Sequence, residues 1–142
     1  DRWVLDPASG KVAEERIDDR GQEFPRHDER RLGRQIRHAY TASFGDPIPS
    51  APLYKYDLQR RTSETHDGGK GRFFLEPVFV PRSPEADEDD GFVLAYVYDA
   101  PANRSDVVIL AAQDFSGRPL ATIHLPQRVP YGFHGNWVPD PA

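Results

Sequence analysis

The residues able to do chemistry in this chain are a few histidines and the glutamates that could serve them. Four of the five histidines stand in ordinary places. His66, in "ETHDGG", reads as an exposed hairpin end; His27 and His38 flank a basic stretch; His124 alternates with apolar neighbours in "ATIHLP", as on a strand surface. No pair has the i, i+2 or i, i+4 spacing that sets two imidazoles on one metal from a single element. His134, in "RVPYGFHGNW", differs in its surroundings. Gly132 and Gly135 admit close backbone approach and unusual φ/ψ. Phe133 and Trp137 make the neighbourhood apolar, so the imidazole should stay neutral, the form that binds metal. These residue types fit a metal ligand, a catalytic base or a packed core histidine. On types alone the core reading is favoured, because one imidazole is not a metal site.

Two carboxylates are placed as if to serve a histidine. Glu23 in "QEFPR" and Glu76 in "FLEPVFV" both sit near proline inside apolar stretches. An unpaired carboxylate there is expensive to bury, so each should have a partner, and a neutral imidazole N–H is a good one. Other chemistries are excluded. The chain has no cysteine, which removes disulfides and thiolate metal sites. It has no G-x-S-x-G elbow, phosphate loop or dinucleotide fingerprint. The acidic run "SPEADEDD" lacks the glycine and spaced oxygens of a calcium loop and reads as a solvated loop. The arginines at 26, 30, 31, 34 and 37 are interrupted by Asp28 and Glu29 and read mainly as a solvated surface. With a net charge of -5, no nucleic-acid partner is expected.

The elements that must position these residues read as short strands. Fourteen prolines and eleven glycines punctuate apolar runs at 73–80, 92–98 and 107–112. The last two should be buried on both faces, as in inner strands. A strand–Asp–turn–strand pattern recurs, with turn-opening Asp6, Asp57 and Asp114, and with Gly10 and Gly117 able to supply positive φ. A repeat of about 50 residues built from antiparallel strands suggests β-propeller blades, with an ordinary β-sandwich as the alternative. Residues 28–34 predict one helical turn with Asp28 as N-cap and Gly33 ending it; "IRHAYTASF" predicts a strand, "GDPIPSAP" a connection, and "RFFLEPVFVPR" a strand pair or bent strand. No apolar run approaches the roughly 20 residues of a membrane span and no signal peptide is visible, so a cytoplasmic location is the default expectation. The chain contains no methionine, even at position 1, so a processed product or a piece of something longer is expected.

From Glu23 onward, "EFPRHDERRLGRQIRHAY", "LEPVFVPR", "EDDGFVLAYVYD" and "SDVVILAAQDFSGRPLATIHLPQRVPYGFHGNW" resemble, in order and spacing, the C-terminal part of the carotenoid cleavage oxygenases. That family includes lignostilbene dioxygenases and the retinoid isomerase of the eye. The most diagnostic pieces are "EPVFVPR…EDDG" and "P-x-G-F-H-G". The resemblance implies an all-β fold in which residues 1–142 are the C-terminal segment, about three antiparallel blades, of a seven-bladed β-propeller. It implies ferrous iron held by four histidines from different blades, with glutamates hydrogen-bonded to three of them. His134 is then the last iron ligand, with Glu76 to orient it. Glu23 matches a glutamate that orients a histidine this chain does not contain. Phe24 and Phe133 become candidates for the apolar substrate tunnel, with plain core packing as the alternative. Two departures lie outside the iron pattern: the family usually has an apolar or neutral residue where His27 stands and an aromatic where His38 stands.

The implied activity belongs to the full-length protein: Fe(II)-dependent cleavage of a conjugated double bond in an apocarotenoid, retinoid or stilbene by O2, giving carbonyl products. Isomerase chemistry within the family is a further reading. The implied partners are that apolar substrate, O2 and the N-terminal remainder of the propeller, together with peripheral membrane contact through segments outside this sequence. The fragment alone is expected to be inactive. The rival from another class is a stand-alone β-rich binding or interaction fragment without metal or catalysis.

Overall fold

A computed structural model describes residues 1–45 and 49–140; part of the "GDPIPSAP" connection therefore lies outside the described residues. The chain is built of strands. β1 (Arg2–Asp6) and β2 (Lys11–Glu15) form a two-stranded antiparallel sheet. β3 (Gln22–Arg26), β4 (His38–Ser43), β5 (Leu53–Asp57) and β6 (Thr62–His66) form a four-stranded antiparallel sheet in sequence order. The third sheet holds β7 (Arg72–Phe74), β8 (Val78–Pro81), β9 (Gly91–Asp99), β10 (Arg104–Ala111) and β11 (Ala121–His124). β7 and β8 pair antiparallel with successive halves of β9, whose other edge carries β10, so they are one bent strand. Leu75 N–H donates to the Tyr96 carbonyl at 2.9 Å and keeps the ladder alive up to the bend. The result is two blades of four strands each, with β7 and β8 counted as one, and a two-stranded piece of another. No helix among the described residues is long and apolar enough to cross a membrane.

The three hairpins share one turn, with Asp6 and Asp57 as the sequence suggested but with Asp99 in place of Asp114. Asp6, Asp57 and Asp99 each end a strand and pair across a four-residue loop with Lys11, Thr62 and Arg104. Each carboxylate accepts backbone N–H groups of the loop: Ala8 for Asp6, Gln59 and Arg60 for Asp57, Ala102 for Asp99. The last loop residue has positive φ in every case, at Gly10 (69°), Arg61 (55°) and Asn103 (46°). Only the first position carries the glycine that marks such a turn, so the repeat was hard to read. Asp114 instead sits in a 3-10 turn between β10 and β11, and Gly117 is not among the residues with positive φ.

The two complete blades pack face to face. Tyr40, Ala42 and Leu53 of the first meet Phe74, Phe79, Val93, Ala95, Val97, Val108, Leu110, Ala112 and Phe115 of the second in one core. β9 alternates between buried residues and half-buried or exposed ones, and β10 does the same from Asp106 onward, so only one face of each is closed among the described residues, against the expectation of burial on both. The predicted helical turn is present as a 3-10 turn over Glu29–Arg31, capped by the Asp28 carboxylate on Arg30 N–H, with Gly33 just beyond at φ 73°.

Two charged segments expected at the surface are structural. Arg30 forks onto the buried Asp28 and reaches the carbonyls of Ser83, Pro84 and Ala86. Glu88 of the acidic loop accepts from the backbone N–H groups of Arg37 (2.5 Å) and His38 (2.9 Å). Lys55, only 5% exposed, donates to Asp89 at 3.0 Å and to the Ala112 carbonyl at 2.7 Å. The basic cluster and the acidic loop are thus two halves of one bolt between the blades. His66 is buried too, edge-on to Phe74 and Phe115, not an exposed hairpin end. Burial pushes the Asp89 carboxyl up, yet the Lys55 hydrogen bond and the neighbouring charges outweigh it and leave it below its usual range. Burial holds His38 and His66 below the usual histidine value.

Two outcomes follow. Lys55→Ala should cost about 3 kcal/mol in urea unfolding, because it strands a partly buried carboxylate. Stability should also fall with acidification below about pH 6.5, where the unfolded chain protonates His38 and His66 and the folded chain resists doing so. Urea midpoints across that range should show a slope that His66→Phe flattens.

Candidate metal centre

The bend between β7 and β8 exists because Glu76 and Pro77 interrupt the strand. Proline cannot donate to the ladder and confines the preceding residue to extended backbone. Glu76 is left facing inward at 7% exposure. A carboxylate buried to that degree must be neutralised and hydrogen-bonded. Its Oε1 lies 3.2 Å from His134 Nδ1 and accepts from Arg26 Nη1 at 3.1 Å; its Oε2 accepts from the Gly135 N–H at 2.6 Å. Glu76 therefore meets His134 as the family resemblance implied. With an ionised Glu76 the proton lies on Nδ1, which leaves the Nε2 lone pair available.

His134 itself is no core histidine: its side chain is 76% exposed. Phe133 and Trp137 are exposed as well, so the apolar surroundings expected of them are not closed within this chain. Nor do Gly132 and Gly135 relieve crowding, since a Cβ on either would meet nothing within 4 Å. What matters at Gly135 is its backbone, whose N–H and C=O are both taken, the first by Glu76 and the second by Arg26 at 3.2 Å.

β3 supplies the other side of the site. The Glu23↔Ala42 and Arg26↔Tyr40 pairs leave three steps on β3 against two on β4, a β-bulge that contains Phe24 at φ 58° and Pro25. Bulges tolerate proline and re-aim side chains. Here the Phe24 ring stands edge-on to His134, centroids 5.7 Å apart, and edge-on to Phe44 at 6.3 Å. Glu23 is exposed, and its carboxylate has no hydrogen-bond or ion partner among the described residues. It is not the costly buried group its sequence setting suggested. Phe133 lines an apolar groove of about 350 Å³ with Leu75, Val78, Leu94, Tyr96 and Trp137, and His134 stands at the same groove.

Arg26 was read in the sequence as solvated surface, and Asn136 was not read at all. Arg26 Nη2 donates to Glu29 Oε1 and to Asn136 Oδ1, both at 2.8 Å. The signal was available: a glutamate that accepts from a neutral imidazole keeps its full charge, so a buried one calls for a cation as well. No group of three or more His, Asp or Glu among the described residues is arranged to hold a metal. The donor set here fits one neutral imidazole ligand with its orienting carboxylate.

The profile of the family described as retinal pigment epithelial membrane protein matches residues 1–139. A carotenoid cleavage oxygenase of Mycobacterium tuberculosis is 39% identical over 146 residues, 98% of this chain and 29% of that protein. The chain belongs to the carotenoid cleavage oxygenase family. Apocarotenoid-15,15'-oxygenase of Synechocystis is 36% identical and is covered over 29% of its length. The family chain spans under a third of these relatives. A cobalt-substituted structure of the Synechocystis oxygenase superposes at TM-score 0.87 with 34% identity, covering 96% of this chain and 29% of that one. Lignostilbene dioxygenase of Pseudomonas brassicacearum superposes at 0.86 with 32% identity, covering 96% and 32%. The blades are accordingly part of the seven-bladed propeller of this family, and a metal is present in at least one relative.

Removing the Glu76 charge should be felt well beyond the site. Glu76→Ala should destabilise the fold by about 3 kcal/mol, since Arg26 loses its buried partner. Glu23→Gln should change stability by less than about 0.5 kcal/mol. Equilibrium denaturation of the two variants checks both.

Proposed function

We propose that this chain is the C-terminal segment of a non-haem Fe(II) dioxygenase, with the upstream blades of the propeller supplied by the rest of the full-length protein. That protein cleaves one conjugated C=C bond of an apocarotenoid, retinoid or stilbene with O2, each carbon of the bond taking one oxygen atom to give two carbonyl products. The observation that carries this reading is the His134 Nδ1 contact to buried Glu76, at 3.2 Å, which leaves Nε2 for a metal. The names of the relatives, an apocarotenoid oxygenase and a lignostilbene dioxygenase, support the substrate class.

In this reading His134 is one of four neutral imidazole ligands, and the other three come from outside the 142 residues. When bound, the iron supplies a site for O2 and one-electron chemistry on it. The residues of this chain hold that site in shape. Glu76 fixes the imidazole tautomer and raises its basicity as a ligand. The edge of Phe24 limits rotation of the ring and keeps water from one side of it. Glu23 orients a histidine of another blade in the way that Glu76 orients His134. Phe24 and Phe133 contribute apolar wall to the space that takes the conjugated chain. The 142 residues alone are expected to be inactive, since one imidazole cannot hold ferrous iron in a working geometry.

His134→Ala in the full-length protein should lower bound iron from near one per chain to under about a tenth, and product formation by at least ~100-fold. Mass spectrometry after reaction under ¹⁸O2 should find label in both carbonyl products. A variant that keeps its iron and its turnover would overturn the ligand assignment.

A further inference from the structure

We infer that Arg26 is a positioning residue for the His134 metal site, an inference that rests on the metal reading above. Its guanidinium is 17% exposed and is spent almost entirely around that site. Nη1 is shared between Glu76 Oε1 at 3.1 Å and the Gly135 carbonyl at 3.2 Å. Nη2 is shared between Asn136 Oδ1 and Glu29 Oε1 at 2.8 Å each. Among the described residues it is the one permanent cation paired with Glu76.

Two effects on His134 follow from this geometry. The first is mechanical. Gly135 follows the ligand, and the Arg26–Glu76 pair holds its backbone on both sides: Glu76 takes the N–H and Arg26 the C=O. Asn136 is tied as well, so the backbone that carries the imidazole is docked on both blades at once. The second is electronic. Oε1 of Glu76 accepts from Arg26 and also faces His134 Nδ1. A carboxylate oxygen that already serves a guanidinium is a weaker acceptor for the imidazole N–H. Arg26 therefore restrains how much basicity Glu76 passes to Nε2, and so how much charge the metal receives. A lysine would keep the charge but could not reach four acceptors in one plane.

The test is metal binding by the full-length protein, independent of turnover. Cobalt(II) titrations, followed by visible ligand-field absorption, should show Arg26→Met weakening affinity on the order of 10-fold or more. Its spectrum at saturation should be shifted from wild type, which a loss of general stability would not do. Arg26→Lys should fall between the two. Glu29→Gln should match wild type, because that carboxylate is exposed and touches only the far nitrogen. A folded Arg26→Met protein with wild-type affinity and spectrum would overturn the inference. Should that variant fail to fold, Arg26→Lys with wild-type affinity and spectrum would do the same. A loss in Glu29→Gln equal to that in Arg26→Met would also overturn it, by placing the effect on the surface pair. These results differ from failure of the metal reading itself, in which the wild-type full-length protein takes up no cobalt.

Discussion

A carboxylate buried at a break in a strand has to be neutralised from several directions at once, and much of this structure answers that demand at Glu76. The proline after it opens the ladder, and the opening turns the side chain inward. One oxygen then meets an imidazole and a guanidinium, and the other a peptide N–H. The three donors come from parts of the chain far apart in sequence: a strand of the neighbouring blade and the segment after the last strand. Glu76 therefore couples three pieces: its own blade, the neighbouring blade and the segment after the last strand. An alanine there would leave a guanidinium without its counter-charge and an imidazole without a defined tautomer.

The same logic acts elsewhere along the blade interface. Asp28 and Arg30 tie the 3-10 turn to the carbonyls of the acidic loop, Glu88 takes two backbone N–H groups of β4, and Lys55 reaches Asp89 and the Ala112 carbonyl. Apolar packing between Tyr40, Phe79 and Phe115 fills the space between. Packed cores attract without direction, whereas these charged contacts have one register only. That is how two blades, each a simple meander, meet at a fixed offset, and the offset decides where Arg26 arrives relative to Glu76.

The strands and the helical turn were legible in the sequence, because alternation and a capping aspartate are local signals. That Glu76 needed a partner was legible as well, but that the partner is His134 came only from the family resemblance. The turn repeat was legible only in part. Asp6 and Asp57 opened their hairpins as read, but Asp99 was passed over for Asp114, since Asn103 and Arg61 stand where a glycine would have announced the left-handed residue. The buried polar and charged side chains were not legible. Arg26, Lys55, His66 and Asp89 look like surface residues in any window, and their partners lie tens of residues away. His134 failed in the other direction. Its aromatic neighbours suggested a core, yet aromatic residues bury only if another element covers them, and in the described residues none does.

The bulge in β3 shows how a local irregularity serves a distant site. In a regular strand, residues three apart point to opposite faces. Glu23 and Arg26 are three apart, yet they oppose Ala42 and Tyr40, which are two apart and share the face that packs on the next blade. The extra residue absorbed at Phe24 and Pro25 restores the phase. It places a glutamate at one end of the strand and an arginine at the other on a single face, with the Phe24 ring between them against His134. Straightening the strand would turn one of the two charges away from the interface and remove the aromatic edge as well. The positive φ at Phe24, unfavourable for a bulky side chain, is accordingly a cost that the register of the site requires.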